Sequence, residues 1–223
     1  MKSTPTISAS VEDYLTAIYR LTPAGKAVGP TRLAEFMGLS APSITLMVRR
    51  LSEQGLVLKD NGHGVVLSTD GECRALEVLR RHRLAERFLV DKLGLNWGMA
   101  HVEAHRFEHA LSAEVTDALE RFLGHPETCP HGNPIPDPEG RVPVCNHVLL
   151  SDLGIGDRAM VRSVDDESMD VLLWLEQVGL VPSTPVQVEQ VDPRGTLLLR
   201  TPRGSVAVGS EVARGVRAEK LED

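Results

Sequence analysis

Residues 31–57 read TRLAEFMGLSAPSITLMVRRLSEQGLV, and this stretch decides the fold. Thr31 to Met37 reads as a short helix that stops at Gly38. Ser40 is placed to cap a following helix from about Ala41 to Gln54, which ends at Gly55. A short helix, a glycine-containing turn and a second helix make a helix-turn-helix. In the second helix Ile44, Val48 and Leu51 are spaced to pack inward, and this turns Ser40, Ala41, Pro42, Ser43, Thr45 and Leu46 outward. The amino-terminal half of such a helix is the part that enters a DNA major groove.

Working outward, residues 10 to 21 start at Ser10 as a candidate cap. They place Val11, Leu15, Ile18 and Leu21 at helical spacing, so a first helix is expected there. Downstream, LVLK and VVLS are two β-rich runs separated by Asp60 to Gly64, the pattern of a hairpin wing. Arg49, Arg50, Lys59 and His63 are suited to phosphates. The outward side of the recognition helix has few long polar side chains. Base readout is therefore expected to be sparse, with thymine methyl contacts and DNA shape supplying preference. Readers of this type act as dimers on palindromes, so the expected partners are a palindromic double-stranded operator and a second copy of the chain.

The net charge of −7 argues at first against nucleic acid. Its distribution removes the objection: residues 1–75 carry 8 Lys/Arg and 7 Asp/Glu, residues 76–140 carry 7 and 11, and residues 141–223 carry 9 and 13. No apolar run approaches the ~20 residues needed to span a bilayer, and the amino terminus lacks a signal-peptide pattern. A cytoplasmic location without membrane association is expected, with Cys73, Cys129 and Cys145 reduced.

Glu72 to Lys92, His101 to Leu111 and a segment capped by Ser112 and ending at Leu123 read as further helices. Phe107, Leu111, Val115, Leu119 and Phe122 form an apolar stripe that suits either a core or an interface. Residues 124 to 145 are rich in Pro, Gly and His and read as an irregular connector. Beyond them AMVRSV, VQVEQV, TLLLR and SVAVG alternate with turns such as Asp192-Pro193-Arg194-Gly195, and one helix spans Glu167 to Val178. The expected class is α+β and multidomain. It comprises a winged helix-turn-helix over 1–75, a helical metal-binding and dimerisation domain over 76–140, and a small β-barrel over 141–223.

Of eight histidines, His82, His101, His105 and His109 fall in one 28-residue window. On a helix His105, Glu108 and His109 converge, with His101 one turn earlier, and His82 and Glu86 form an i, i+4 pair on the preceding helix. Imidazole and carboxylate are ligands for first-row divalent metals, so one or two metal sites follow. A solvated polar face is the plainer reading of a single His-x-x-Glu-His. A metallohydrolase is the enzyme reading, but the order differs from the His-Glu-x-x-His protease helix and no substrate motif accompanies it, so no enzyme is expected. A winged-helix regulator with incidental histidines is a further alternative. His125, Cys129, His131, Cys145 and His147 lack the Cys-x-x-Cys knuckle of a zinc site and are expected to form a structural loop.

VEDYLTAIYRL, the helix-turn-helix quoted above, RRHRLAERFLVDKLGL, and HVEAHRFEHALSAEV followed by CPHGNPIP together resemble the DtxR/MntR family of metal-dependent transcriptional regulators across the whole chain. The carboxy-terminal part resembles the FeoA-like, Src-homology-3-like barrel of its longer members. The resemblance implies a primary site of Asp13, His105, Glu108 and His109 and an ancillary site of His82, Glu86 and His101. It also implies a barrel carboxylate, for which Glu167 and Asp170 are the candidates, and a dimer interface in the last helices. It implies a regulator that represses metal-uptake genes when loaded. Iron-type members carry methionine and cysteine where this chain has Asp13 and His105, and manganese-type members carry a carboxylate where it has Thr16. With no sulfur donor in the primary set, Mn(II) is the expected metal and Fe(II) the alternative, while Zn(II) or Co(II) can bind in vitro.

Overall fold

The computed structural model describes residues 8–22, 26–60, 64–165 and 168–221, so His63 and Glu167 lie outside the described residues. The chain forms two compact units, Met1–Arg80 with Pro136–Arg141, and Arg81–Ile135 with Val142–Asp223.

In the first unit α1 (Ala9–Leu21), α2 (Pro30–Met37) and α3 (Ala41–Glu53) precede a hairpin of β1 (Val57–Asp60) and β2 (Gly64–Leu67). The long helix α4 (Thr69–Asp91) begins in this unit. Helix α1 starts at Ala9 with Ser8 as its N-cap residue rather than Ser10, because the Ser8 carbonyl already accepts from Glu12 N at 3.1 Å. Gly38 closes α2 in the left-handed conformation at φ 64°, and Ser40 Oγ accepts from Ser43 N at 3.4 Å to start α3. Ile44, Val48 and Leu51 of α3 pack with Leu15, Ile18 and Leu33 in one core. The wing is tied to the unit by an antiparallel bridge between Val28 and Val65. Gly64, at φ +133°, makes that bridge possible, since a Cβ there would lie 2.1 Å from the Val28 carbonyl oxygen.

The second unit holds the remainder of α4, then α5 (Trp97–Glu108) and α6 (Ala113–Leu123). Helix α5 starts four residues earlier than the sequence reading placed it, because Asn96 caps it by accepting from Met99 N at 2.9 Å. It ends at Glu108 and leaves His109 as the C-cap. Ser112 caps α6, accepting from Val115 N at 3.3 Å. The barrel follows as β3 (Val148–Leu149), β4 (Arg158–Val164), α7 (Met169–Val178), β5 (Pro185–Val191), β6 (Leu197–Thr201), β7 (Gly204–Val208), α8 (Ser210–Arg214) and β8 (Val216–Lys220). Its sheet is antiparallel in the order β3-β8-β4-β5-β6-β7. Register shifts at Val161/Ser163 and Val188/Gln190 accompany its curvature.

Strands β3 and β8 and helix α8 were not read from the sequence. The first is two residues long, and β8 ends in exposed Glu219 and Lys220, so neither shows a sustained alternation. No helix among the described residues is long and apolar enough to cross a membrane.

Ile44 is fully buried and Leu46, two residues on, is 62% exposed. Ile44→Ala should therefore destabilise the chain by about 2–5 kcal/mol, whereas Leu46→Ala should change stability by less than about 0.5 kcal/mol, as read from denaturant unfolding followed by circular dichroism.

Candidate metal centre

The second unit brings together three groups of side chains that could hold a metal ion. On α5 and its C-cap, His105 Nδ1 lies 3.1 Å and His109 Nε2 3.4 Å from Glu108 Oε1. The two imidazoles meet edge to face at 5.5 Å between centroids, so the i, i+3, i+4 spacing does converge. Glu108 is buried while His105 is exposed. Asp13 lies partly buried on α1 of the first unit.

The second group is built around Glu86 on α4. Its Oε1 lies 3.0 Å from His82 Nε2, 2.9 Å from His101 Nδ1 and 3.3 Å from His131 Nδ1. His82 also reaches Glu108 Oε2 through Nδ1 at 2.5 Å. A ring whose two nitrogens both face carboxylates donates from both and is an imidazolium. Burial opposes that charge, but Glu86 and Glu108 outweigh it and raise the His82 pKa. Burial likewise opposes ionisation of the carboxylates. Hydrogen bonds from His105 and His82 nevertheless hold Glu108 down at about 2, and the charges of His82 and His131 hold Glu86 well below the usual range.

The third group was not expected. Glu86, Cys129 and His131 offer ligand atoms within 4.8 Å of one another, and all three are buried. Cys129 and His131 thus belong to the metal-competent region and not merely to a loop, whereas Cys145 is exposed and His125 pairs only loosely with Glu120, at 3.8 Å. Spacing could not reveal this, because Glu86 and His131 are brought together by tertiary contacts. Arg83 on α4 donates to the Pro134 carbonyl, and Arg87 donates to the Thr128 carbonyl at 3.0 Å. On its other side the loop joins the barrel: Val164 N donates to His131 O at 2.9 Å, and Asn133 Nδ2 donates to Val164 O at 2.7 Å. Gly132, at φ +83°, lets the two backbones touch, since a Cβ there would lie 2.0 Å from Arg162 O. Asp170 is exposed in the first turn of α7 and enters none of these groups among the described residues.

The donors fit a divalent cation. His131 Nε2 is buried with no hydrogen-bond partner among the described residues, a costly state that metal coordination or a ligand-bound water relieves. Glu86, with four-residue spacing to His82 and tertiary access to His101 and His131, is the hub a metal would share. On the other functional face, Ser40, Ala41, Pro42, Ser43, Thr45, Leu46, Arg49 and Arg50 of the α3 region are all exposed, as is Lys59 of β1.

Three family models match in succession. The N-terminal DNA binding domain of the iron dependent repressors covers residues 6–65, their metal binding and dimerisation domain covers 68–137, and a FeoA domain covers 148–220. Over 226 residues the chain is 34% identical to the iron-dependent repressor IdeR of Mycobacterium leprae (strain TN), an alignment covering 95% of this chain and 97% of that protein. The chain belongs to the iron-dependent repressor family. It is also 31% identical over 229 residues to the diphtheria toxin repressor of Corynebacterium glutamicum, covering 96% of this chain and 97% of that one. Among solved structures, a manganese-dependent transcriptional repressor in complex with manganese superposes with a TM-score of 0.85 at 32% identity, covering 95% of this chain and 100% of the other. ScaR with bound Zn2+ superposes at 0.82 with 29% identity, covering 95% and 99%. This protein is a metal-dependent DNA-binding transcriptional repressor and not an enzyme, which sets aside the metallohydrolase reading.

A metal held by these clusters would displace protons from them. Burial opposes the charged ring of His131, but Glu86 and Cys129 raise its pKa to about 10. In the metal-free protein the raised pKa values of His82 and His131 give a stabilisation that is complete below about pH 6.5 and lost as pH rises through the folded values. Glu108 contributes above about pH 4.5 and loses its contribution as pH falls towards 2. Metal affinity should therefore rise with pH up to about pH 10, the His131 value, with release of at least about one proton per ion. Calorimetry in buffers of different ionisation enthalpy measures that release, and a pH-independent affinity would contradict the imidazolium assignment.

Proposed function

We propose that this repressor senses manganese, with Fe(II) as the alternative physiological metal, and represses metal-uptake genes by binding a palindromic operator as a homodimer in the cytoplasm. The observation that carries the reading is the His105, Glu108 and His109 cluster, with its buried carboxylate, in a chain that also carries a helix-turn-helix. Asp13, at the position the family resemblance implies, is proposed as the ligand through which metal occupancy reaches the DNA-binding unit. His82, Glu86 and His101 would hold an ancillary ion, and Cys129 and His131 extend that set around Glu86. A bound cation supplies positive charge that draws these carboxylates and imidazoles into one arrangement. It favours the DNA-binding state only to the extent that it binds that state more tightly.

Manganese is favoured by the donors of the primary set, which are oxygen and nitrogen without sulfur. Thr16 supplies no carboxylate, and its hydroxyl is engaged by the carbonyls of Glu12 and Asp13 at 3.2 and 3.0 Å. The manganese-dependent repressor structure and the iron-dependent repressors are both relatives, so the donor chemistry carries the preference. For DNA, Ser40, Ala41, Pro42, Ser43, Thr45 and Leu46 are proposed to face the groove, with Arg49, Arg50, Lys59 and His63 on phosphates. For the dimer, Phe107, Val115 and Phe122 are exposed, whereas Leu111 is buried among Ala85, Leu89, Ala100 and Ala104. The first three leave an apolar surface of the kind a second copy would cover.

Operator affinity measured by mobility shift should fall by at least about tenfold when Mn(II) is replaced by chelator. Glu108→Ala or His109→Ala should abolish the difference. Equal affinity in chelator and in saturating Mn(II) would instead favour the metal-independent regulator.

Selectivity offers a separate check. Asp13→Met together with His105→Cys should shift the ratio of half-activating Mn(II) to anaerobic Fe(II) concentrations towards iron by at least about tenfold at fixed pH, because thioether and thiolate donors disfavour Mn(II). An unchanged ratio would remove these two residues as determinants of metal choice.

A further inference from the structure

Trp97 is the first residue of α5, and its indole sits between two structures that the sequence keeps apart. It is buried in the barrel core with Leu150, Leu172 and Leu175. The same ring meets the imidazole of His131 at 4.8 Å between centroids and 87° between planes. Its backbone N–H donates to Glu176 Oε2 on α7 at 3.1 Å. The following residue, Gly98, lets α7 approach: a Cβ there would lie 2.8 Å from Met169 Cγ and 2.9 Å from Leu173 Cγ. Four residues after Trp97 and on the same face of α5, His101 places its ring 6.3 Å from that of His131 and its Nδ1 2.9 Å from Glu86 Oε1.

His131 is therefore held from three directions. Glu86 engages its Nδ1, β4 holds its backbone through Val164, and Trp97 packs against the ring. The first two fix where the residue sits, whereas an edge-to-face aromatic contact also restricts how the ring is turned. Ring orientation decides where a coordinating nitrogen points, and groups that orient a histidine ligand tune its metal site.

We propose that Trp97 is a positioning residue for the metal-competent set of Glu86, Cys129 and His131, acting by holding the His131 ring and linking metal affinity there to barrel packing. This rests on the reading of those three residues as metal ligands. By reciprocity, an ion at this set tightens the barrel's hold on α5.

The test uses the full-length protein and Co(II), whose thiolate charge-transfer and ligand-field absorption report directly on a cysteine-containing site. Wild type should show a thiolate band that Cys129→Ser removes. If wild type shows none, the metal reading of this set fails and the inference with it. Given the band, Trp97→Leu should weaken Co(II) affinity at this site about tenfold and shift the ligand-field spectrum, while Trp97→Phe, which keeps an aromatic edge, should recover most of both. Leu153→Ala removes a buried side chain from the same barrel core and should lower the unfolding midpoint without moving the spectrum. A Trp97→Leu titration and spectrum like wild type, or an equal spectral change in Leu153→Ala, would overturn the proposal. Glu176→Ala gives a milder disturbance should Trp97→Leu fail to fold. It should weaken Co(II) about threefold, and an unchanged affinity there would equally overturn the proposal.

Discussion

One buried carboxylate oxygen, Oε1 of Glu86, has ring nitrogens of three histidines within 3.3 Å. A carboxylate in that position is stable because the charges of His82 and His131 and a hydrogen bond from His101 offset the burial that opposes its ionisation. The same convergence makes the site exchangeable. A divalent cation can take the place of the protons, turning donors that face Glu86 into ligands that share a metal with it. His82 extends the arrangement to Glu108, so the two helix-borne clusters are joined through one ring.

The three histidines around Glu86 come from three different parts of the second unit. His82 shares α4 with Glu86, His101 is on α5, and His131 is on the loop that α4 holds through Arg83 and Arg87. That loop is also bonded to β4, and the Trp97 N–H at the start of α5 donates to Glu176 of α7. The barrel thus supports the metal-binding helices at two separate places, one through a loop backbone and one through a helix start. The geometry of these side chains depends on packing that no single element supplies.

Much of this was legible in residue order. Ile44, Val48 and Leu51 lie inward and Ser40 caps α3, because helical periodicity and capping are local and the residues that carry them are within a few positions of one another. His105, Glu108 and His109 converge for the same reason. Where residue order and structure differ the causes are also local: Asn96, upstream of the first histidine of α5, caps the helix and sets its start. Strands β3 and β8 were hidden because short or charged-ended strands gain their identity from the neighbours they pair with.

What the sequence by itself determined is the order of elements, the outward face of α3, and the candidate ligands that share a helical turn. All of these follow from periodicities of a few residues. Tertiary structure alone decided that Cys129 and His131 join Glu86 and that Trp97 belongs to the barrel core and to His131 at once. Those contacts span 43 and 45 residues from Glu86 and 34 residues between Trp97 and His131, separations read from the numbering at which no side-chain periodicity survives. They arise where backbone partners, such as Val164 with His131, and close approaches, such as Gly132 on Arg162, bring distant parts of the chain together.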